Sequence, residues 1–249
     1  MTAPILIEAC VDSIDSAIEA ELGGADRVEI CGELLQGGVT PSAGLVGAVC
    51  ARIGIPVFAL VRPRGGDFLY DDDELDVMLR DIEVIRSMNV EGIVIGALTR
   101  DGDIDVGTLY TLIAAAGDMH VTFHRAFDFV RDQRIALEAL IELGVDRVLT
   151  SGGAPTALDG VDALAELVDQ GGTEIAILAG GGINASNVAE VVRLSGVKEV
   201  HVRAAATVES EMTWRPSAVT LVRPSPPGDF QRTGTRADEM RRIVSTLRS

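Results

Sequence analysis

Eight short apolar runs, spaced along most of the chain, constrain the fold more than any other feature of the sequence. Each run is short enough to form one buried strand of a parallel sheet. Successive runs start 22 to 36 residues apart, which leaves room for one helix between each pair. Eight strands that alternate with helices predict an α/β fold, a (β/α)8 TIM barrel. The runs begin near Ile5, Arg27, Val57, Ile93, Val121, Arg147, Ile175 and Val200.

The junctions between helices and strands support the barrel. A similar junction sequence occurs three times, as GADRV at 24–28, GVDRV at 144–148 and GVKEV at 196–200. Its glycine supplies the left-handed conformation that ends a helix, so we predict one turn used three times. An open doubly wound sheet is the alternative, but its first turn is usually glycine-rich, and this chain reads ACVD at 9–12. Amphipathic patterns predict helices at 13–22, 43–52, 72–87, 106–116, 132–143, 158–168 and 185–194.

The last part of the chain departs from this alternation. We assign residues 1–212 to the barrel and 213–249 to a C-terminal extension. Pro, Gly and Arg in 213–235 predict an extended excursion, and 236–247 has the pattern of a short helix. We expect the extension to pack on the barrel or on a neighbouring subunit, and we favour a homodimer.

Charge and cysteine content narrow the classes of partner. With 38 acidic and 21 basic side chains, the formal net charge is −17, which should repel nucleic acids and anionic membranes. No apolar stretch approaches the ~20 residues of a membrane helix. Three cysteines are too few for a disulfide framework in 249 residues. We therefore expect a cytoplasmic protein with reduced thiols.

Polar side chains gather where the predicted strands end. Barrel enzymes carry their reactive groups at the carboxyl ends of the strands, so residues in these positions are candidates for a site. Alternation along a strand would point both members of a same-strand pair to one face. The candidates are Glu8 and Cys10, Glu29 and Cys31, Arg62 and Arg64, and the histidines His124 and His201.

These residue types suggest a division of catalytic roles. Either glutamate is a candidate base, either histidine a candidate acid or electrophile, and either arginine an anion clamp. The structural alternative is that the charges form ion pairs that close the top of the barrel, for example Glu29 with Arg62. Burial of so many charged groups together costs desolvation free energy that ion pairing alone need not repay. The whole set therefore favours a functional pocket over a purely stabilising network.

Two glycine-containing loops are candidates for an anion site. Ser151 and Gly152 follow the sixth strand, and Gly181 and Gly182 follow the seventh, next to a predicted helix start. Backbone amides in these loops would lie where such barrels usually bind phosphate. The alternative is that each glycine only permits a tight turn.

Several motifs together resemble the CutC copper-homeostasis family. The resemblance extends through about residue 201 and implies a barrel, a cytoplasmic location and a role in copper handling. The chain departs from the family at Arg203, where a small hydroxyl residue is usual, and in 218–235. The motifs are EACVDS at 8–13, GGADRVEICG at 23–32, GGVTPS at 37–42, RPRGGDF at 62–68, TFHRAFD at 122–128 and LTSGG at 149–153.

The resemblance also points to metal ligands. Cys10 and Cys31 match the cysteines proposed as copper ligands in the family, and they end adjacent strands about 4.8 Å apart. Cu(I) is soft and accepts two thiolates. The alternatives are inert core thiols or a pair able to oxidise, and nearby His and Glu leave Zn(II) open.

Three hypotheses follow from the sequence. The first is a CutC-family barrel that binds a copper ion, as Cu(I), through its cysteine pair. The second is a barrel enzyme for a small anionic or phosphorylated metabolite, which would use the Glu, His and Arg side chains. The third is a scaffold with no ligand, in which removal of buried pocket charge would be neutral or stabilising.

Overall fold

The structure is a computed structural model and describes residues 4–216, 218–220 and 228–248. Eight parallel strands close into a barrel in chain order, and β8 pairs with β1. The barrel predicted from the apolar runs is confirmed, and each strand begins within one residue of its predicted start. The strands are β1 (Leu6–Val11), β2 (Arg27–Ile30), β3 (Val57–Leu60), β4 (Gly92–Ile95), β5 (His120–Phe123), β6 (Arg147–Thr150), β7 (Ala176–Ala179) and β8 (Glu199–Val202).

Helices connect the strands and surround the barrel. Side-chain caps set where several begin; Asp71, for example, forms a capping box with Glu74 at the start of α3. The last two connecting helices start three residues later than predicted, because turns precede them. The helices are α1 (Ile14–Gly23), α2 (Ala43–Cys50), α3 (Asp72–Arg86), α4 (Val106–Ala116), α5 (Gln133–Glu142), α6 (Val161–Gly171) and α7 (Val188–Ser195).

The repeated junction forms the predicted turn at all three places. Gly24, Gly144 and Gly196 have φ of 93°, 73° and 73°, in the left-handed region that glycine reaches without steric cost. In the first two copies the aspartate also ties the junction to a neighbouring strand. Asp26 and Asp146 each accept a hydrogen bond from a strand N–H, at 2.9 and 2.7 Å. The junction therefore sets where the next strand begins.

The C-terminal extension forms a hairpin and a helix. Strand β9 (Ala205–Glu209) pairs antiparallel with β10 (Gln231–Thr235), so the departure from the barrel begins earlier than the predicted 213. Residues 217 and 221–227 of the predicted excursion lie outside the described residues. Helix α8 (Ala237–Arg248) packs against α1 and α7.

The helices were also compared with the length and apolar character of a membrane-spanning helix. Among residues 4–216, 218–220 and 228–248, no helix combines the length and apolar character needed to cross a bilayer.

The contact between α1 and α8 predicts the effect of one added methyl group. A Cβ at Gly23 would lie 2.4 Å from Cβ of Met240, so Gly23→Ala forces the two helices apart. We expect a loss of about 1–3 kcal/mol in the free energy of unfolding, measured by urea denaturation. The matched control is Gly47→Ala in α2, where nothing lies within 4 Å of the added atom and stability should not fall. Equal stability of the two variants would contradict this packing.

Candidate functional site

A cavity of about 100 Å³ opens at the carboxyl ends of the barrel strands. Leu34, Leu60, Phe68 and Leu149 give its wall an apolar part. Its polar lining includes six side chains that the sequence singled out: Cys10, Glu29, Cys31, Arg62, His124 and His201.

The two thiols lie together at one side of this cavity. Strand register places Cys10 opposite Glu29. Cys31 is two residues beyond Glu29, so alternation along the chain turns its side chain to the same side as that of Glu29. The Sγ atoms of Cys10 and Cys31 are 3.8 Å apart, and Cys31 Sγ donates to Glu29 Oε1 at 3.1 Å. Both thiols are buried, with 8% and 1% of their surface exposed.

Hydrogen bonding makes the two thiols unequal acids. The hydrogen bond between Cys10 and Cys31 lowers the pKa of Cys10 to about 5 despite burial, and His201 adds to this effect. The same hydrogen bond, together with burial, raises the pKa of Cys31 well above its usual value. Cys10 is therefore the more acidic thiol of the pair.

His201 links the thiols to the carboxylates below them. Its Nδ1 lies 2.8 Å from Glu8 Oε1 and 3.6 Å from Glu29 Oε2. Burial alone would lower the pKa of His201, but hydrogen bonds with Cys10 and Glu8 hold it well above the usual value. Burial would likewise raise the pKa of Glu8, but Arg27 and His201 lower it to about 2. This part of the site contains a fixed imidazolium and carboxylate pair.

Glu29 is the less acidic of the two glutamates. Burial raises its pKa to about 8 although His201 opposes the shift, so its carboxyl group is largely protonated at neutral pH. Its Oε2 is buried and has no hydrogen-bond partner among the described residues. The ion pair with Arg62 that the sequence allowed does not occur within 4.0 Å.

The arrangement of Glu8 depends on a charged layer that the sequence analysis missed. Arg27 contacts Glu8, and its Nη2 lies 2.7 Å from Glu199, which also accepts from Arg147 at 3.1 Å. These residues come from β1, β2, β6 and β8, so the contacts cross the barrel interior. The repeated junction contained the signal, because Arg27, Arg147 and Glu199 occupy the same place in its three copies.

A second polar group of the cavity wall contains His124 and Arg62. His124 Nδ1 accepts the N–H of Ala126 at 3.2 Å, which leaves the proton of a neutral ring on Nε2. Burial, reinforced by the nearby Arg62 charge, lowers the pKa of His124 to about 3, so the ring is neutral. His124 Nε2 and Arg62 Nε are both buried and have no partner among the described residues.

Arg64 does not join this site. Strand β3 ends at Leu60, so strand alternation no longer governs the loop in which Arg62 and Arg64 lie. Arg64 turns outward, pairs with Glu74 and Asp67, and has 38% of its side chain exposed. The predicted common face of the two arginines is therefore wrong.

The loop after β6 already holds an anion, the carboxylate of Asp128. Asp128 accepts from the N–H groups of Ser151 and Gly153 at 3.0 Å each. The Gly152 amide donates to Thr150 instead. These donors of the predicted anion loop are thus occupied by the protein itself.

The other half of the predicted anion loop differs. Within the described part of the chain, the amides of Gly181 and Gly182 have no acceptor, and both glycines have positive φ, 103° and 71°. Their anion-binding role stays a prediction.

Fold and site define a class: a single-domain (β/α)8 barrel with a buried thiol pair, a charged histidine and glutamates at its mouth. The sequence profile of the CutC family matches residues 5–206, and this chain belongs to that family. The copper homeostasis protein cutC homolog of Mus musculus is 46% identical over 87% of this chain and 79% of its own length. The CutC family protein of Chromobacterium violaceum is 42% identical over 97% of this chain and 98% of its own.

Solved structures agree with this assignment. The crystal structure of CutC from Streptococcus agalactiae superposes with a TM-score of 0.76 at 32% identity, and covers 80% of this chain and 98% of its own. Phosphoribosylanthranilate isomerase from Pyrococcus furiosus superposes with a TM-score of 0.57 at 14% identity, which shows a shared fold alone.

The charged layer predicts a large cost for the loss of one carboxylate. Glu199→Gln removes the charge that Arg27 and Arg147 share, and leaves buried guanidinium groups undercompensated. We expect the free energy of unfolding to fall by about 3 kcal/mol in urea denaturation. The matched control is Asp76→Asn, which breaks an exposed ion pair with Arg80 and should change stability little. A similar small change in both variants would contradict a structural role for this layer.

Proposed function

We propose that this chain contributes to copper homeostasis by binding Cu(I) between the sulfurs of Cys10 and Cys31. The observation that carries the proposal is the 3.8 Å separation of two buried Sγ atoms at the mouth of the barrel. Relatives from Mus musculus and Homo sapiens, each 46% identical, bear the name copper homeostasis protein cutC homolog. The names and the thiol pair support the same function independently.

The donor atoms suit a soft monovalent ion. Two sulfurs that share one metal ion at about 2.3 Å each, with a near-tetrahedral angle, are separated by roughly the distance seen here. The separation thus suits a shared metal ion, and the preference for Cu(I) rests on the sulfur donors. One donor of each of Cys10, Glu29 and Cys31 lies within 4.8 Å of the others. Cysteine sulfur selects Cu(I), and this set contains two cysteine sulfurs and a single oxygen ligand.

The alternative divalent site is less favourable. Glu8, Glu29 and His201 also bring donor atoms within 4.8 Å of one another. However, the Glu8 carboxylate is held by Arg27 and His201, so a Zn(II) ion would have to displace two cations. A structural zinc site also needs four ligands, and this group offers three.

The surroundings of Cys10 assist binding of a cation by a thiolate. Hydrogen bonds with Cys31 and His201 lower the pKa of Cys10, and a proton must leave Cys31, whose pKa is raised, when the second sulfur binds. Burial of both sulfurs favours retention of the ion over rapid transfer to another protein. We propose storage or sensing of Cu(I) in the cytoplasm as the physiological role.

Assembly of the protein is a separate prediction. The homodimer expected from the sequence would appear as twice the mass of one chain in sedimentation equilibrium.

Replacement of either cysteine tests the copper proposal. We expect Cys10→Ser and Cys31→Ser each to weaken Cu(I) binding by more than about 100-fold, because each removes half of the soft donors. The measurement is competition with a chromophoric Cu(I) chelator, with the protein reduced and metal-free at the start.

Cys50 offers a matched control for this experiment. It lies on α2, outside the pocket, and is partly buried, so Cys50→Ser should leave Cu(I) affinity and stoichiometry unchanged. Unchanged stoichiometry and affinity in the Cys10 and Cys31 variants, with their folds intact by circular dichroism, would rule out this site.

A further inference from the structure

The cavity holds a positive charge that the protein itself leaves without a counter-ion. The Arg62 side chain is 95% buried, since 5% of its surface is exposed. No carboxylate of the described residues lies within 4.0 Å of its guanidinium nitrogens. Buried arginine is normally paired with an anion, because an unpaired buried charge destabilises the fold.

Backbone carbonyls hold this guanidinium in place and use only part of its donors. Nη1 donates to the carbonyls of Gln36 and Gly38 at 3.2 and 2.8 Å, and Nη2 donates to Gly66 at 2.7 Å. The Phe68 ring lies 4.8 Å from its central carbon. Three of its five N–H groups are used in this way, and among the two that are left, Nε–H is buried without a partner in the described structure. Arg62 is thus rigid and keeps Nε–H for a ligand.

His124 presents a second unused donor in the same cavity. Its ring lies against Phe68, with a centroid distance of 5.0 Å. It also occupies the space that a side chain at residue 96 would fill, because a Cβ on Gly96 would lie 2.4 Å from the ring. These contacts fix the orientation of a neutral imidazole whose Nε2–H has no acceptor. A buried N–H donor that is held in a fixed orientation and has no acceptor indicates a ligand at this place.

Arg125 and Glu29 extend this polar surface. Arg125 lines the cavity and donates through Nε to Asp128 and through Nη2 to Ser151, which leaves Nη1 without an acceptor among the described contacts. Elsewhere on the wall, the unpartnered Oε2 of Glu29 suits a hydroxyl or carbonyl group of a ligand. The cavity therefore offers three unused N–H donors and one further polar atom.

The size and lining of the cavity define the ligand class. Its volume of about 100 Å³ is well below the ~300–1,000 Å³ of drug-sized pockets, so the ligand has only a few heavy atoms. Leucine and phenylalanine side chains on the wall suit a short carbon skeleton. Asp128 already occupies the amides of Ser151 and Gly153, so these donors are not offered to a phosphate group.

We propose that this cavity binds a small organic carboxylate with a second oxygen group, and that Arg62 and His124 are its principal anion-binding residues. Arg62 supplies charge and a hydrogen bond through Nε, and His124 donates through Nε2. Its two principal residues are not among the proposed copper ligands, although both groups line the same cavity.

A probe panel tests the ligand class. Reduced, metal-free protein is titrated with glycolate, lactate, pyruvate and malate, with lactamide as the neutral match of lactate, and with inorganic phosphate. Binding is measured by saturation-transfer NMR and by thermal stabilisation. We expect at least one carboxylate to bind saturably, and lactate to bind about 10-fold or more tightly than lactamide. Failure of every carboxylate, or tighter binding of phosphate than of any carboxylate, overturns the proposal.

Two variants test the roles of Arg62 and His124. For each, we measure the affinity for the carboxylate that binds the unchanged protein most tightly. Arg62→Lys keeps the charge but removes the Nε donor, and His124→Phe keeps the aromatic ring but removes Nε2–H. We expect each to weaken binding about 10- to 100-fold. The matched control is His120→Phe, because His120 pairs with Asp146 at the opposite end of β5, and binding should be unchanged.

The design separates loss of binding from loss of fold. Because Arg62 ties two loops together, Arg62→Lys could unfold them, and His124→Phe then decides the outcome. Carboxylate affinity that is unchanged in His124→Phe, with an intact circular dichroism spectrum, overturns the assignment of His124. The use of metal-free protein makes the result independent of the Cu(I) competition experiment.

Discussion

The structure depends on a layer of charges inside the barrel. Arg27, Arg147 and Glu199 meet across the interior from strands that are not neighbours in the sheet, and Arg27 also contacts the fully buried Glu8. Glu8 in turn holds His201 in its charged form. The same contacts that join distant strands therefore set the electrostatics of the pocket above them. The pKa of Cys10 is lowered by its hydrogen bond with Cys31 and also by the imidazolium that this layer keeps beside it.

The pocket divides into two parts with different chemistry. Around Cys10 and Cys31 the donors are soft and lie beside a fixed cation, an arrangement that suits a monovalent metal held by sulfur. Around Arg62 and His124 the donors are hard N–H groups with no acceptor, an arrangement that suits an oxyanion. The apolar side chains lie in the same cavity, so both ligands would share one opening. A barrel of this kind can thus carry functions that its fold alone does not specify.

Much of the fold and part of the site could be predicted from residue patterns. The spacing of the apolar runs located every barrel strand, and the three glycine junctions had the predicted conformation. The approach of Cys10 to Cys31 followed from strand alternation, which is a local property. The prediction for Arg64 failed because alternation was extended into a loop beyond the end of β3. The sequence analysis did not predict the hairpin that starts at β9.

By itself, the sequence determined which residues form strands, which face of each strand they occupy and which end of the barrel carries the polar side chains. These properties depend on the period of the backbone and on turn residues, both of which act over a few positions. Only the tertiary structure decided which polar groups satisfy one another. It paired Glu8 with Arg27, placed Asp128 on the loop amides and left Arg62 Nε and His124 Nε2 without partners among the described residues. The physical reason is that hydrogen bonds reach only about 3 Å, so the stagger of the strands and the course of the loops select each partner.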